Sequence, residues 1–328
     1  MRGLQRALRF LSTSLALSCA ASTVAQNLPP QGPQLRIDPG MHTARINRIG
    51  VDATCTLLAT ASDDKTVRLW RLPRGDPLNT LRPPIGPGDD GKISAVAVAP
   101  NGSWVAAGGW DAQWTASKEV FVYIFQSATG AVLTRLGPLP DRIRDLAVSP
   151  DGRYLAAALG AGKGLRVWER KGEGPTSWLL VAKDEDYDDA IADGATFGAS
   201  GILYTVADNA KLRRYEPGYT ARPLSVTTKG GKEPGPVAVH PAGDRVAVSF
   251  DDTTAVEVYD ATTLTLRFAA DTRGVRGNLG SVAWSADGAR LYAGGEYGKK
   301  VVAPYAFGNT LVKVLPVRCR VQTIPSRT

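Results

Sequence analysis

Residues that often carry catalysis or bind metal are scarce in this chain. Its 328 residues include two histidines and three cysteines. His42 and His240 are far apart, and no His/Cys group has the short spacing of a zinc site. No glycine-rich phosphate loop opens a predicted helix. The sequence therefore predicts no catalytic residues, no metal and no cofactor.

The densest group of carboxylates is the acidic run Asp184-Glu185-Asp186-Tyr187-Asp188-Asp189. It lacks the glycine at the sixth position and the terminal glutamate of a calcium loop. Blocks of like charge usually stay solvated. We interpret the run as a solvated connector.

The N-terminal segment has the pattern of a cleavable signal peptide. Arg2, Arg6 and Arg9 precede an apolar stretch from Phe10 to Ala21, and cleavage is predicted near Ala25. We expect a signal peptide over 1–25, a linker over 26–34 and a periplasmic or secreted protein. The alternatives are an amphipathic helix or a membrane anchor, and acylation at Cys19. The apolar stretch is too short for a stable membrane span.

Charge and cysteine content add limits on the partner and the compartment. Lys and Arg number 39 and Asp and Glu 31, and removal of the segment would take three arginines with it. The remaining excess of positive charge is ordinary, so we predict no nucleic-acid partner. Cys55 and Cys319 would remain, either paired in an oxidising compartment or as free thiols.

A repeated pattern organises the rest of the chain. An apolar-small-apolar run leads into a turn that ends in Gly, and a second apolar run follows. Asn-Gly and Asp-Gly turns favour tight hairpins. The turn position recurs every 42 to 50 residues, at Cys55, Gly102, Gly152, Gly201, Gly243 and Gly288. A period of this length indicates stacked structural units.

Each unit continues with a third strand that ends in an aromatic residue and a fourth apolar run. Examples of the third strand are Val67–Trp70, Leu165–Trp168 and Val256–Tyr259. Four strands per unit without helices predict an all-β propeller over 35–325. We expect six complete four-stranded blades. Leu35–Ile37 and 320–324 would belong to a partial seventh blade, followed by a tail at 326–328.

The first unit resembles the WD-repeat (WD40-like) family. Gly40-Met41-His42-Thr43 is similar to its Gly-His opening, and 62–70 is similar to its turn and third strand. The resemblance implies a structural network of His42, Asp64 and Trp70. The later repeats depart from the family pattern because they lack the opening histidine.

The resemblance also bears on function. WD-repeat proteins are typically non-enzymatic scaffolds, so a protein partner and no catalysis are expected. The chain is also similar to bacterial exported WD-repeat proteins that accompany caspase-like regions. Two alternatives remain: a metal-dependent hydrolase or lactonase with a central-channel site, and a truncated fragment of a larger propeller protein.

Long polar loops carry the candidate partner-binding residues, and we expect the chain to be a monomer. Two tryptophans in a polar insertion are candidate interface anchors. Arg273 and Arg276 could meet an acidic partner or pair with Asp186 and Asp188. The candidates are Trp110, Trp114, Asp186, Tyr187, Arg273 and Arg276.

Overall fold

The computed structural model describes residues 38–110, 119–172, 174–219 and 222–295. Several predictions fall outside these residues: the signal peptide, the linker, the strands of the partial seventh blade, the tail and the anchor Trp114. They stay predictions. No helix among the described residues has the length and apolar character needed to cross a membrane.

The first three sheets each contain four antiparallel strands in chain order. Blade one consists of β1 (Ile46–Val51), β2 (Leu57–Ser62), β3 (Val67–Arg71) and β4 (Asp76–Leu81). Blade two consists of β5 (Ile93–Val98), β6 (Trp104–Gly109), β7 (Val120–Gln126) and β8 (Val132–Leu139). Blade three consists of β9 (Ile143–Val148), β10 (Tyr154–Leu159), β11 (Leu165–Arg170) and β12 (Trp178–Asp184).

The next sheets repeat this order. Blade four consists of β13 (Ala192–Phe197), β14 (Leu203–Ala207), β15 (Lys211–Tyr215) and β16 (Leu224–Thr227). Blade five consists of β17 (Pro234–Val239), β18 (Arg245–Phe250), β19 (Val256–Asp260) and β20 (Leu266–Ala269). The described part of blade six consists of β21 (Ser281–Trp284) and β22 (Leu291–Gly294).

The hairpin between the first and second strands has the predicted turn chemistry. Gly102 and Gly152 both have φ near +70°, a backbone conformation that glycine adopts without steric cost. Cys55 occupies the same position in blade one with φ 57°. Cys55 is also disulfide-bonded, so the free-thiol alternative is wrong for this residue.

The blades are radial wedges that pack face to face. The first strands of successive blades are neighbours in space, from β1 through β5, β9, β13 and β17 to β21. Each layer of the core is shared by two adjacent blades. The clusters join blades one and two, two and three, three and four, four and five, and five and six. This arrangement confirms the predicted all-β propeller.

Because neighbouring strands are antiparallel, the connections divide between two ends of the propeller. The loop face carries the segments that join second to third strands and those that join one blade to the next. The first group is 63–66, 160–164, 208–210 and 251–255, together with Trp110 after β6, and the second is 82–92, 140–142, 185–191, 228–233 and 270–280. The turn face carries the hairpins between first and second and between third and fourth strands.

Candidate interaction site

A buried hydrogen-bond network supports the loop face in blade one. Nδ1 of His42 lies 2.7 Å from Oδ2 of Asp64, and Nε2 of His42 lies 2.7 Å from Oγ1 of Thr60. The indole N–H of Trp70 donates to the same Oγ1 at 2.9 Å. The structure thus brings the three predicted residues together through Thr60, which the sequence analysis missed.

Two members of the network have a fixed hydrogen-bonding role. A carboxylate only accepts, so Nδ1 of His42 carries the proton it shares with Asp64. The indole N–H of Trp70 only donates, so the Thr60 hydroxyl accepts from it, and in a neutral imidazole Nε2 of His42 accepts from that hydroxyl. Both His42 and Asp64 have side chains that are more than nine-tenths buried. The chain of bonds therefore ties β2, β3 and the segment before β1 into one rigid unit.

Asp64 also organises the loop between β2 and β3. Its carboxylate accepts from the backbone N–H and hydroxyl of Thr66, at 3.0 and 2.6 Å, and from the N–H of Thr43 at 3.1 Å. Burial raises the pKa of Asp64, but the hydrogen bonds from Thr66, His42 and Thr43 outweigh it and hold the pKa below its usual value. The carboxylate is therefore the ionised centre of this loop.

Comparison with known proteins agrees with this geometry. The family model described as WD domain, G-beta repeat matches residues 38–71, 75–114 and 132–169. These three segments are similar to WD40 repeats. Blades four to six lie beyond the matched residues and are recognised from their strand order alone.

Two curated relatives illustrate the similarity. Coronin-7 of Mus musculus is 31% identical over 189 residues, which is 49% of this chain and 20% of the relative. Nuclear distribution protein PAC1 of Arthroderma benhamiae is 28% identical over 139 residues, which is 42% of this chain and 28% of the relative. The chain thus matches less than a third of the length of either relative.

Tyr187 is buried, so the expectation that it anchors a partner is wrong. Its hydroxyl lies 2.9 Å from both the Thr205 hydroxyl and the Tyr215 hydroxyl, and no part of the residue is exposed. The Tyr215 hydroxyl donates to Oδ2 of Asp184 at 2.7 Å. The guanidinium of Arg213 lies 4.0 Å from the centre of the Tyr187 ring.

This cluster replaces the blade-one network in blade four. Thr205 pairs with Arg213 across β14 and β15 as Thr60 pairs with Arg68 across β2 and β3. Tyr215 takes the place of Trp70, and Tyr187 supplies the polar group that His42 supplies in blade one. The repeat without an opening histidine therefore keeps the buried network with a phenol.

The other predicted charges lie exposed on the loop face. Asp186, Arg273 and Arg276 are all exposed in the connections that enter β13 and β21. Arg273 pairs with Asp271 at 2.5 Å, and Asp188 pairs with Lys211 at 2.6 Å. Of the two alternatives for Arg273, pairing with Asp188 is therefore replaced by local ion pairs.

Trp110 is the exposed aromatic residue of this face whose backbone is held at both ends. Its N–H donates to the carbonyl of Lys92 at 3.0 Å, and its carbonyl accepts from the N–H of Gly91 at 2.6 Å. Its side chain is 37% exposed, and the guanidinium of Arg142 lies 4.8 Å from the centre of the ring. Trp110 thus offers apolar area from a fixed position.

Ion pairs among the innermost strands occupy the centre of the propeller. Nε of Arg48 in blade one lies 3.2 Å from the buried Asp145 of blade three, and Nε of Arg144 donates to Asp193 of blade four at 2.8 Å. Burial raises the pKa of Asp145, opposed by Arg48 and the N–H of Ala195. Within the described ranges, no three His, Cys, Asp or Glu side chains converge as metal ligands.

Proposed function

We propose that this WD40-repeat chain is a non-enzymatic scaffold that binds a protein partner on its loop face. The observation that carries the proposal is Trp110, an exposed aromatic ring on a backbone held by hydrogen bonds from both sides. Rigid aromatic side chains provide much of the binding energy of protein interfaces, because they bury large area and lose little entropy.

The charges at the centre of the propeller favour the same conclusion. Arg48 and Arg144 are committed to Asp145 and Asp193, so these groups hold the blades together. This arrangement favours a scaffold over a hydrolase with its site in the channel. The relatives support a scaffold only as proteins that contain similar repeats.

We further propose that the chain works as a monomer in an oxidising compartment after export. The signal-peptide pattern of residues 1–25 motivates the proposal. The disulfide bond of Cys55 supports it, because disulfides persist in the periplasm and outside the cell.

Replacing Trp110 with Ala tests the docking site. We expect the Trp110→Ala variant to unfold like the wild type, because the Trp110 side chain is partly exposed and its removal takes little packing from the core. We expect it to bind the protein partner about tenfold or more weakly. Two quantities are measured: the affinity of each variant for the protein partner captured in the compartment to which the chain is exported, and the urea unfolding of each purified variant.

The matched control is Leu179→Ala. Leu179 is 52% exposed on β12, an outer strand of blade three that lies off the loop face. Its removal should leave the partner's affinity unchanged. Equal affinity of the Trp110→Ala variant and the wild type would exclude Trp110 as the anchor.

A further inference from the structure

We propose that Arg142 forms a carboxylate-binding site on the loop face, which receives an Asp or Glu side chain of the protein partner beside the Trp110 ring. This inference rests on the proposed docking function and names the chemistry that the docking site recognises. Arg142 lies in the short connection 140–142 between blades two and three, and directly precedes β9.

The first observation is that the Arg142 guanidinium lacks an anionic partner. Among the described residues, no side chain forms an ion pair or a hydrogen bond with this guanidinium, and its one described contact is with the face of Trp110. Its neighbour Arg144, two residues further on, is paired with Asp193 by two N–H groups. The two neighbouring arginines thus differ: Arg144 in β9 is neutralised within the fold, and Arg142 in the connection before it is not.

The second observation is that Arg142 is partly buried while it is unpaired. Burial and the charge of Arg144 lower the pKa of Arg142, and Asp141 and Asp193 oppose the shift only in part. Holding a cation away from water without a partner costs free energy. A carboxylate that arrived at this guanidinium would recover part of that cost, so the site gains more from an anion than an exposed arginine does.

The third observation is that the fold holds the guanidinium in place. A side chain on Gly160 would overlap Asp141 and come within 3.0 Å of Cγ of Arg142, so glycine at this position leaves the space in which Arg142 lies. The guanidinium also packs over the Trp110 ring, 4.8 Å from its centre. Since the N–H of Gly160 also donates to the Arg142 carbonyl at 3.0 Å, the site is formed before any partner binds.

The surrounding charges favour a protein carboxylate over the phosphates of a nucleic acid. Asp141 and Asp193 both act on Arg142 through their charge, and Asp251 lies near enough to Asp193 for the two carboxylates to repel each other. A nucleic-acid backbone carries a negative charge on every phosphate, so Asp141 and Asp193 would repel the phosphates on either side of the one that reached Arg142. A single carboxylate with an aliphatic stem can reach the guanidinium and pack its stem on Trp110.

A random library of displayed 12-residue peptides, selected on the immobilised full chain, tests the inference. We expect the peptides selected by the wild type to be enriched in Asp or Glu at one position. For a peptide from that selection, replacing the acid with its amide should weaken binding about tenfold or more, as loss of a charge-assisted hydrogen bond does. Arg142→Gln should bind the acid and the amide peptides equally, and Arg142→Lys should keep part of the preference.

The matched control is Arg74→Gln, which makes the same change of charge on the turn face. Arg74 is 77% exposed and paired with Asp76. The Arg74→Gln variant should keep the preference of the wild type for acidic peptides. Selected peptides without an acidic position, or an acid preference that survives in Arg142→Gln, would overturn the Arg142 site and leave the docking function standing. If the wild type selects no peptide, or if a DNA duplex displaces the peptides as an acidic peptide does, both proposals fail.

Discussion

Replacing Asp64 with Ala should destabilise the chain more than any exposed substitution in it. The change removes the acceptor for His42, for the N–H and hydroxyl of Thr66, and for the N–H of Thr43. Leaving a buried donor unpaired costs about 1–3 kcal/mol, whereas water can take the place of Asp64 at the exposed N–H of Thr43. Because water can also reach part of the other donors, we expect a loss of about 3 kcal/mol in the free energy of unfolding. Urea unfolding followed by tryptophan fluorescence measures it.

Asp76→Ala is the control for this substitution. Asp76 pairs with Arg74 at the surface, where an ion pair contributes about 0–1 kcal/mol. If the two variants unfolded at the same urea concentration, the buried network would not be the support of blade one.

The same substitution has a pH dependence with a defined sign. The folded chain holds the pKa of Asp64 below its usual value, so the carboxylate stabilises the fold above its unfolded pKa of about 3.9. This contribution is lost as the pH falls through the folded pKa. The difference in unfolding free energy between the wild type and the Asp64→Ala variant should therefore have its largest value near neutral pH and become smaller in acid. A difference that grew in acid would contradict the assignment of the charge to Asp64.

Gly109→Ala should also have a large effect, on both stability and binding. A Cβ at Gly109 would overlap the carbonyl of Lys92 and lie 2.8 Å from the N of Ser94. These are backbone atoms of the neighbouring strand β5 and of the residue that precedes it, which cannot move aside cheaply. Forcing extra volume into a packed site costs about 1–3 kcal/mol, and we expect the upper part of that range.

The displaced carbonyl of Lys92 also accepts from the N–H of Trp110, so the variant should weaken partner binding as well. Gly294→Ala is the matched control, since Gly294 ends β22 as Gly109 ends β6 and no atom of residues 38–110, 119–172, 174–219 or 222–295 lies within 4 Å of its Cβ position. Thermal unfolding and partner affinity of both variants measure the effect. A Gly109→Ala variant as stable as Gly294→Ala would show that β5 and β6 are less closely packed than described.

The repeat unit could be predicted from the sequence because its turns require particular residues. Gly102 and Gly152 have positive φ at the positions that the repeat period marks, and each apolar run on either side became a strand. The aromatic residue of the third strand marked Trp70, and the place of His42 in the same network followed from the family resemblance.

The side-chain contacts between repeats could not be predicted in the same way. Tyr187 lies in an acidic run that suggested exposure, yet its ring is buried under Arg213 of the same blade. Arg48 reaches Asp145 in a blade two positions further on, a pairing to which no local pattern points. The repeat period assigns strands to blades, whereas these contacts depend on which side chains the folded connections and strands bring together.

The loop face was predicted as the docking face from its long connections, but the residues that form the proposed docking site were predicted only in part. Trp110 was expected from the sequence. Arg142 was not, because a single arginine in a short connection has no pattern of its own. Only its contact with Trp110 and its lack of an anionic partner among the described residues distinguish it from other arginines.

Site-specific photocrosslinking in the exporting compartment tests the docking face most directly. A photoreactive amino acid would replace Asp186 or Arg276 on the loop face, and Arg74 or Ala242 on the turn face; all four positions are exposed. We predict crosslinks to one protein partner from the loop-face positions and none from the turn-face positions. Crosslinks to the partner from Arg74 or Ala242 alone would show that the partner binds the opposite end of the propeller.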